Sequence, residues 1–253
     1  MSKGSQMKRV LVIPDLHVPQ HDRKALGLVE AYAKSEGPWD QIVQLGDWND
    51  FPQLASQTLG NLKAQGKNTI RDDYDEGERI LDRWQKLAKR IDILQGNHDE
   101  RIERWLGCQP LFTGSLEVQN GLHLKERGIG WHPVWENASK YALRIGKADF
   151  IHGMSVSPNH ARITGARWGD NVIYGHTHDA QCATFERRGK VTHVAQSLGW
   201  LGGEKAIAYQ RGRPNKHEHA FGVFHFFPDG FFQYFVVRIF RGRLVAPGGK
   251  VFK

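Results

Sequence analysis

The stretch Ile91-Asp92-Ile93-Leu94-Gln95-Gly96-Asn97-His98-Asp99 joins an apolar run to three polar side chains of different kinds. The run 91–94 predicts a short buried strand. Asn97 offers a neutral oxygen, His98 a nitrogen that can bind a metal or carry a proton, and Asp99 a charge that can orient a histidine ring. A strand that ends in such residues indicates a site of chemistry, although one tetrapeptide alone is a weak indication.

Four other apolar runs also end in aspartate or histidine, and they give the tetrapeptide its weight. The runs and the polar residues after them are 9–13 with Asp15 and His17, 41–45 with Asp47 and Asp50, 148–151 with His152, and 171–174 with His176 and His178. In an open α/β sheet, ligands bind just beyond the carboxyl ends of the strands. We therefore expect these side chains to meet at one edge of a sheet.

The segments around these runs predict an α/β fold. Residues 23–34 and 71–90 carry apolar side chains at helical spacing and alternate with the first three predicted strands. Residues 183–194 and 220–240 predict two β-hairpins, which turn at Arg187-Arg188-Gly189-Lys190 and Pro228-Asp229-Gly230. Residues 51–69 predict loops and short helical turns, and residues 100–140 show no clear period.

The length fits one large α/β domain, and the composition shows neither a fixed repeat nor a low-complexity tract. We expect a single domain over residues 1–253. Within it, residues 8–180 would form the half that carries the metal site. Residues 181–253 would form antiparallel hairpins.

The chain has the features of a protein of the cytoplasm. No apolar run approaches the roughly 18 residues that a membrane span needs, and the first seven residues lack the apolar core of a signal peptide. Cys108 and Cys182 lie far apart without a CxxC spacing, so we expect two buried thiols and no disulfide. No membrane partner is expected, and the oligomeric state is left open.

The net charge of +8 resides in the last third of the chain. Residues 181–253 hold 12 Lys and Arg against 4 acidic residues, so the rest of the chain is balanced. Within this third, Arg211, Arg213 and Lys216 lie in a segment between the hairpins that Gly and Pro interrupt, and they are candidate substrate-binding residues. A basic loop there could follow DNA or RNA, or it could simply keep the surface solvated; both interpretations stay open.

The polar residues at the strand ends form a metal-binding set without thiolates. Two divalent ions need a bridging carboxylate and several further nitrogen and oxygen ligands, and the chain offers seven: Asp15, His17, Asp47, Asn97, His152, His176 and His178. Mixed imidazole and carboxylate favours manganese, with iron, zinc or nickel as alternatives.

In order, the motifs Asp15-Leu16-His17, Gly46-Asp47-Trp48-Asn49-Asp50, Gly96-Asn97-His98-Asp99, His152-Gly153 and Gly175-His176-Thr177-His178 resemble those of the calcineurin-like metallophosphoesterase superfamily. The resemblance is to its prokaryotic or phage-type phosphodiesterase and nuclease branch. It implies a two-layer mixed β-sheet sandwich flanked by helices, with the C-terminal hairpins completing the second sheet.

The same resemblance implies a role for each residue. One ion would be held by Asp15, His17, Asp47 and His178, and the other by Asp47, Asn97, His152 and His176, with Asp47 bridging. A hydroxide shared by the ions would attack phosphorus. His98 would contact the phosphate and protonate the leaving oxygen, Asp99 would hold the His98 ring, and Asp50 would lie behind the ligands.

The motifs also bear on the substrate. The Ser/Thr protein phosphatases of this superfamily usually carry Asp-Arg-Gly and a final Glu, where this chain has Asp50-Phe51-Pro52 and Asp99. The departure favours a phosphodiesterase acting on nucleic acid or nucleotides, with a phosphomonoesterase for small molecules or proteins as the alternative. A third possibility is an inactive scaffold that binds nucleic acid. The other histidines are expected to be ordinary residues: His21, His123, His132, His160, His193, His217, His219 and His225.

Overall fold

Two mixed β-sheets flanked by helices make up the part of the chain that the computed structural model describes, which is residues 7–56, 68–133, 142–187, 191–204, 206 and 215–253. The predicted fold class is confirmed.

The strands are β1 (Lys8–Ile13), β2 (Gln41–Gln44), β3 (Ile91–Leu94), β4 (Gly130–His132), β5 (Leu143–Ile145), β6 (Ala148–Ile151), β7 (Val172–Tyr174), β8 (Cys182–Arg187), β9 (Val191–Ser197), β10 (His219–Phe226), β11 (Phe232–Phe240), β12 (Arg243–Val245) and β13 (Val251–Phe252). The α-helices are α1 (Arg23–Glu36), α2 (Ile70–Trp84), α3 (Glu100–Cys108), α4 (Val118–Gly121) and α5 (His160–Trp168). Short 3₁₀ helices occupy Pro52–Leu54 and Pro110–Phe112.

The larger sheet has the order β13-β12-β11-β10-β1-β2-β3-β4 in the described residues. Strands β1 to β4 run parallel, and β10 pairs antiparallel with β1. The smaller sheet has the order β5-β6-β7-β9-β8, in which β6, β7 and β9 run parallel. The carboxyl ends of β1, β2 and β3 in one sheet and of β6 and β7 in the other carry every predicted site motif.

The two sheets pack face to face through an apolar layer. Val10 and Val12 of β1 lie in this layer with Phe150 of β6 and Ile173 of β7, and the rings of Phe150 and Phe224 meet edge to face with centroids 5.6 Å apart. Because both sheets contribute fully buried side chains, their facing edges are fixed relative to one another. This packing brings the loops after the two sets of strands together.

Helices cover the outer faces of both sheets. Helix α1 begins at Asp22, whose carboxylate accepts from the Lys24 and Ala25 backbone N–H groups, and its buried face packs on the larger sheet together with α2. Helix α5 lies against β8 and β9 of the smaller sheet, where its Gly165 allows the Phe185 ring to approach. None of the described helices is long and apolar enough to cross a membrane.

Several elements differ from the sequence prediction. The second predicted helix ends at Trp84. The chain turns after it, and the Leu87 carbonyl and the Lys89 N–H form backbone hydrogen bonds with Trp39 before the chain enters β3. Helices α3, α4 and α5 and strands β4, β12 and β13 were not predicted. They are short, and several bury too few side chains to show a period; α3 buries only Ile102 and Leu106.

Two further predictions are corrected. The first hairpin, β8-β9, joins the smaller sheet as expected, but the second, β10-β11, lies in the larger sheet because β10 pairs with β1 from Lys8 opposite Phe226 to Val12 opposite Gly222. The expectation that both hairpins complete the second sheet is therefore wrong. Cys108 and Cys182, predicted to be buried, are both exposed free thiols.

Candidate metal centre

All seven predicted metal-binding side chains come together where the two sheets meet. Two overlapping groups have their nitrogen or oxygen atoms within 4.8 Å of one another: Asp15, His17, Asp47 and His178 in the first, and Asp47, His152 and His176 in the second. Asn97 joins the second group through its amide oxygen, 3.0 Å from Nε2 of His152. Their roles as ligands stay predictions.

The loops that carry these side chains have unusual backbone conformations. His17, Asp47, His176 and His178 have positive φ angles of 56°, 51°, 70° and 63°. This left-handed region costs a non-glycine residue about 1 kcal/mol or more and is concentrated at functional sites. The turns after β1, β2 and β7 thus fold in a strained way that aims each side chain at the same point.

Two glycines are required for the loops to approach this point. A Cβ on Gly96 would lie 2.1 Å from the Asp47 backbone nitrogen, and a Cβ on Gly175 would lie 2.1 Å from Oδ1 of Asp15. Such contacts are impossible without moving the backbone. Because Gly96 has no side chain, the loop after β3 can lie against Asp47. Because Gly175 has none, the loop after β7 can lie against Asp15.

In the first group, ring nitrogens and carboxylate oxygens face one another. Nε2 of His178 lies 3.1 Å from Nε2 of His17 and 3.2 Å from Oδ2 of Asp15. Oδ2 of Asp47 lies 3.8 Å from Nε2 of His17. The other ring nitrogen of His17, Nδ1, lies 3.0 Å from Oδ1 of Asp50 and donates to it.

The second group repeats this arrangement around His152. Its Nδ1 donates to the Leu45 carbonyl at 2.9 Å, which leaves Nε2 directed at the site. Around that nitrogen lie Nδ1 of His176 at 3.1 Å, Oδ1 of Asn97 at 3.0 Å and Oδ1 of Asp47 at 3.5 Å.

The donor set fits cations. Because an oxygen acceptor takes the Nδ1 proton of His17 and of His152, a neutral ring at either position presents a lone pair at Nε2. Lone pairs of nitrogen and oxygen then converge in each group, and such an arrangement is unfavourable unless a proton or a metal ion lies between them. The two oxygens of Asp47 face different groups, as a bridging carboxylate requires.

The pKa shifts in the cluster favour the deprotonated state of most of its groups, which is the state that binds metal. Burial raises the pKa of Asp47, but the adjacent histidine rings, His152 foremost, outweigh burial and hold that pKa well below the usual range. Burial, reinforced by His152, lowers the pKa of His176 to about 4. For His152 itself burial lowers the pKa, but the carboxylates of Asp47 and Asp15 outweigh it and raise the pKa overall. Protons therefore compete with metal mainly at His152.

The predicted pairing of His98 with Asp99 is wrong. Nδ1 of His98 lies 2.7 Å from Oδ1 of Asp50, so Asp50 holds this ring as well as the ring of His17. The Asp99 carboxylate is fully buried and accepts backbone N–H groups of Trp48, Asn49 and Gly96 at 3.1, 2.8 and 2.9 Å. Asp99 thus ties the loop after β2 to the loop after β3 and does not contact the ring.

An open cleft of about 450 Å³ lies over the candidate metal centre, and we call it the metal cleft. Its lining includes Asp47, His98, His176, Lys216 and His217. Of the predicted substrate-binding residues, the exposed Lys216 therefore borders the site, whereas Arg211 and Arg213 lie outside the described residues.

Three residues near the centre were not predicted to belong to it: Trp200 and Arg101 were not considered, and His217 was expected to be an ordinary histidine. The Trp200 ring stacks on His178 with a centroid distance of 4.5 Å, and His217 packs edge-on against the same histidine at 4.7 Å. Nη2 of Arg101 lies 3.1 Å from Nε2 of His98 and donates to it. Arg101 follows His98 by three residues, a spacing that brings side chains together at a helix, but the helix at this position was not predicted.

No model of a known protein family matches the chain. Among curated proteins, the Gene 54 protein of Mycobacterium phage L5 is 27% identical over 206 residues, which cover 79% of this chain and 76% of the relative. The Gene 54 protein of Mycobacterium phage D29 is 25% identical over 177 residues, which cover 68% of this chain and 69% of the relative.

Solved structures give weaker similarity. Vps29 of Chaetomium thermophilum, crystallised with a cyclic peptide, aligns with a TM-score of 0.44 and 14% identity over 98% of this chain and 94% of its own. The NAD nucleotidase NadN of Haemophilus influenzae aligns with a TM-score of 0.33 and 9% identity over 99% of this chain and 54% of its own. The case for function therefore rests on the side chains of the site.

Proposed function

We propose that this chain is a metal-dependent phosphoester hydrolase that binds two divalent ions. The observation that carries the proposal is the position of Asp47, whose Oδ1 faces His152 at 3.5 Å and whose Oδ2 faces His17 at 3.8 Å. One carboxylate between two groups of converging nitrogen and oxygen atoms is the arrangement that a two-metal phosphoesterase needs.

The ligand sets follow the two groups. Asp15, His17 and His178 would hold one ion and Asn97, His152 and His176 the other, with Asp47 shared. The absence of thiolate from this set favours manganese, with iron, zinc or nickel as alternatives. Bound ions would supply Lewis-acid stabilisation of charge on the phosphoryl oxygens and would acidify the attacking water.

His98, Arg101 and Asp99 would have three different roles in the reaction. His98 lines the metal cleft and is held by Asp50 through Nδ1, so Nε2 would contact the phosphoryl group and the leaving oxygen in place of its hydrogen bond from Arg101. Arg101 places a guanidinium beside the same ring and adds positive charge where the phosphoryl group would lie. Asp99 would act on the reaction only through the backbone of the two loops that it joins.

For the substrate we propose a phosphodiester of nucleic acid or a nucleotide. The metal cleft is open, and the exposed Lys216 lines it beside the candidate metal centre, which suits an anionic chain longer than a single phosphate. The alternative is a phosphomonoesterase for a small molecule or a protein, for which Lys216 would contribute only to solubility.

The test is a substrate panel run on the purified chain with Mn²⁺, Fe²⁺, Zn²⁺ and Ni²⁺ in turn. The panel holds p-nitrophenyl phosphate, bis-p-nitrophenyl phosphate, cyclic nucleotides, and single- and double-stranded DNA and RNA. We expect the diesters to be cleaved. Ready cleavage of the mono-ester with none of the bis-ester or the nucleic acids would establish the alternative instead.

Metal content provides a separate readout. We expect about two ions per chain after dialysis against Mn²⁺, as the two ligand groups imply, and fewer than one in Asp47→Ala. The exposed His123 offers a matched control, since its ring lies away from the cluster and meets Glu78 at 3.4 Å. His123→Ala should bind metal as the parent does; a chain that binds no divalent ion would end the proposal in favour of a nucleic-acid-binding scaffold.

A further inference from the structure

A second cleft of about 480 Å³ opens beside the metal cleft, and we call it the arginine cleft. The short helix Pro52–Leu54 forms one wall and α3 the other, and Asn97 lines both clefts. The remaining lining residues used below are Gln53, Leu54, Arg101, Arg104 and Trp105. A molecule that enters the arginine cleft therefore reaches the candidate metal centre directly.

The arginine cleft contains one fixed and one free guanidinium. The Arg101 side chain is 14% exposed and is held by the Asp50 carbonyl and by Nε2 of His98. The Arg104 side chain is 64% exposed and meets Oε2 of Glu100 at 3.6 Å, an exposed pair of a kind that contributes little. Arg104 can therefore turn toward a ligand without losing a strong interaction.

The same cleft has an aromatic surface. The half-buried Trp105 packs on the main core and tilts against Phe112, with ring centroids 5.7 Å apart and planes at 33°. This packing limits the rotation of the indole ring, which lines the arginine cleft together with Leu54. A fixed aromatic face next to guanidinium groups suits a ligand that is both planar and anionic.

We propose that the arginine cleft binds the nucleotide next to the scissile phosphate of a single-stranded nucleic acid. The phosphate of this nucleotide would pair with Arg104, and the base of the same nucleotide would stack on Trp105. This inference rests on the proposed phosphoester hydrolysis, because it places the scissile phosphate over Asp47 and Asn97. The strand would continue through the metal cleft past Lys216, so each of the two clefts would offer it a basic side chain.

The dimensions and chemistry of the arginine cleft favour this substrate over two others. A cleft of about 480 Å³ lies within the range of small-ligand pockets and fits one nucleotide, not a base-paired duplex. An acidic or phosphorylated peptide could pair with the arginines but would leave the Trp105 face without a planar partner. Base stacking on an aromatic ring tolerates every sequence, so we expect little sequence preference.

The first test uses Arg104→Gln with a matched control. Arg79 has the same 64% exposure on α2 and forms its ion pair with Glu76, so Arg79→Gln removes an equal charge from another surface. Binding of a fluorescein-labelled oligo-dT is measured by anisotropy in Ca²⁺, and hydrolysis of the same oligonucleotide and of bis-p-nitrophenyl phosphate is measured in Mn²⁺.

For Arg104→Gln we expect binding and KM for the oligonucleotide to weaken about fivefold to tenfold, and the slope of log affinity against log salt to fall by about 0.7, the value for one phosphate contact on a single strand. The turnover of bis-p-nitrophenyl phosphate should fall less than that of the oligonucleotide, since the small diester has no neighbouring phosphate to pair with Arg104. Arg79→Gln should match the parent in every measurement.

The second test separates stacking from phosphate contact. Trp105→Leu should weaken binding of oligo-dT about tenfold, as loss of one stacked base does, whereas Trp105→Phe should restore most of it. An abasic single strand of the same length should bind the parent and Trp105→Leu equally. Circular dichroism spectra should show that both variants fold.

The results distinguish this proposal from the proposed function. If bis-p-nitrophenyl phosphate is cleaved but Arg104→Gln and Trp105→Leu bind the oligonucleotide as the parent does, the subsite is wrong and the hydrolase stands. If both variants lose binding while no phosphoester is cleaved, the arginine cleft binds a nucleotide, but the proposed function fails and with it the position next to a scissile phosphate. Equal losses on abasic and normal strands for Trp105→Leu, or tighter binding of a phosphopeptide than of the oligonucleotide, would overturn the subsite.

Discussion

Asp50 and Asp99 are both buried carboxylates of the candidate centre, but they contact different partners. Asp50 accepts from the rings of His17 and His98, so its loss should disturb a candidate ligand and the candidate acid together. Both rings donate to the same oxygen, Oδ1, so Asp50→Asn can keep that acceptor but removes the negative charge that faces the two rings. We expect activity or metal affinity to fall about tenfold to hundredfold, as is usual when the group behind a ligand is changed, with little change in stability in urea denaturation.

Asp99 should show the opposite result. Asp99→Ala leaves three backbone N–H groups without their acceptor, at a cost of about 1–3 kcal/mol for each that stays unsatisfied. We expect the free energy of unfolding to fall by about 3 kcal/mol in urea. A variant that kept full stability but lost turnover would restore Asp99 to the catalytic role that the sequence suggested.

His98 should be separable from Asn97, its neighbour. His98→Ala removes the ring that lines the metal cleft but leaves the seven candidate ligands in place, so we expect metal content to hold and kcat to fall by about 10²–10⁴. Asn97→Ala should instead lower metal content. Metal analysis and kinetics on both variants check this, and a His98→Ala chain that emptied of metal would show that the ring is itself a ligand.

At this scale the residue types were predictable but their partners were not. Asp, Asn or His after each apolar run identified the seven side chains that the structure brings together. Which carboxylate faces His98 depends on the left-handed turns at Asp47 and Phe51, with φ of 51° and 44°, which turn Asp50 toward both rings. Neither residue is a glycine or asparagine, so no local signal indicates such a turn.

Among the helices and strands, α2 carries Asp73, a carboxyl group whose raised pKa should make the stability of the protein depend on pH. Asp73, in the first turn of the helix, is fully buried, and burial raises its pKa to about 6 despite hydrogen bonds from Gln53 and Asn68. A folded-state pKa above the unfolded value near 3.9 contributes stability below that value, and the contribution is lost as pH rises through 6.

Asp73→Asn removes this dependence, because the amide stays neutral and keeps an oxygen to accept from Gln53. We expect the variant to match the parent at pH 4 and to exceed its free energy of unfolding by about 2 kcal/mol at pH 7.5. Urea denaturation at several pH values measures the difference. A difference that stayed constant with pH would contradict the raised pKa.

The same helix shows where pattern reading succeeds. The stripe of Tyr74, Ile80, Leu81 and Trp84 is fully buried, as the helical spacing predicts. The early end at Trp84 depends on backbone hydrogen bonds with Trp39, a partner 45 positions away that spacing within the helix does not reveal. The third helix, which carries the arginine cleft, was missed because a helix of 9 residues with two buried side chains has no resolvable period.

For the whole molecule, metal should act as a stabilising ligand. The candidate ions would bind side chains from both sheets, and a ligand that binds only the folded state adds about 2.7 kcal/mol at a hundredfold excess over Kd. We expect Mn²⁺ to raise Tm and EDTA to reverse the rise. His178→Ala should lose most of this response, whereas His123→Ala should keep it; equal responses in both variants would place the metal elsewhere.

The assignment of strands to sheets lay beyond the sequence for a simple reason. Strand β10 buries side chains on both of its faces, including Phe221 on one and Phe224 on the other, so its pattern fits either sheet. Its partner β1 lies at the other end of the chain. Pairing between such distant segments is decided by packing of the whole domain, not by any window of residues.

The centre joins His17 to His178 across 161 positions of the chain, and this separation bears on how the protein folds. Closing so long a loop costs entropy, and contacts of this range form late in folding. The ligand groups would therefore be incomplete in the transition state. Metal ions would therefore leave the folding rate nearly unchanged and slow unfolding instead. Slower unfolding would protect the folded protein against thermal inactivation and against proteolysis of its unfolded state.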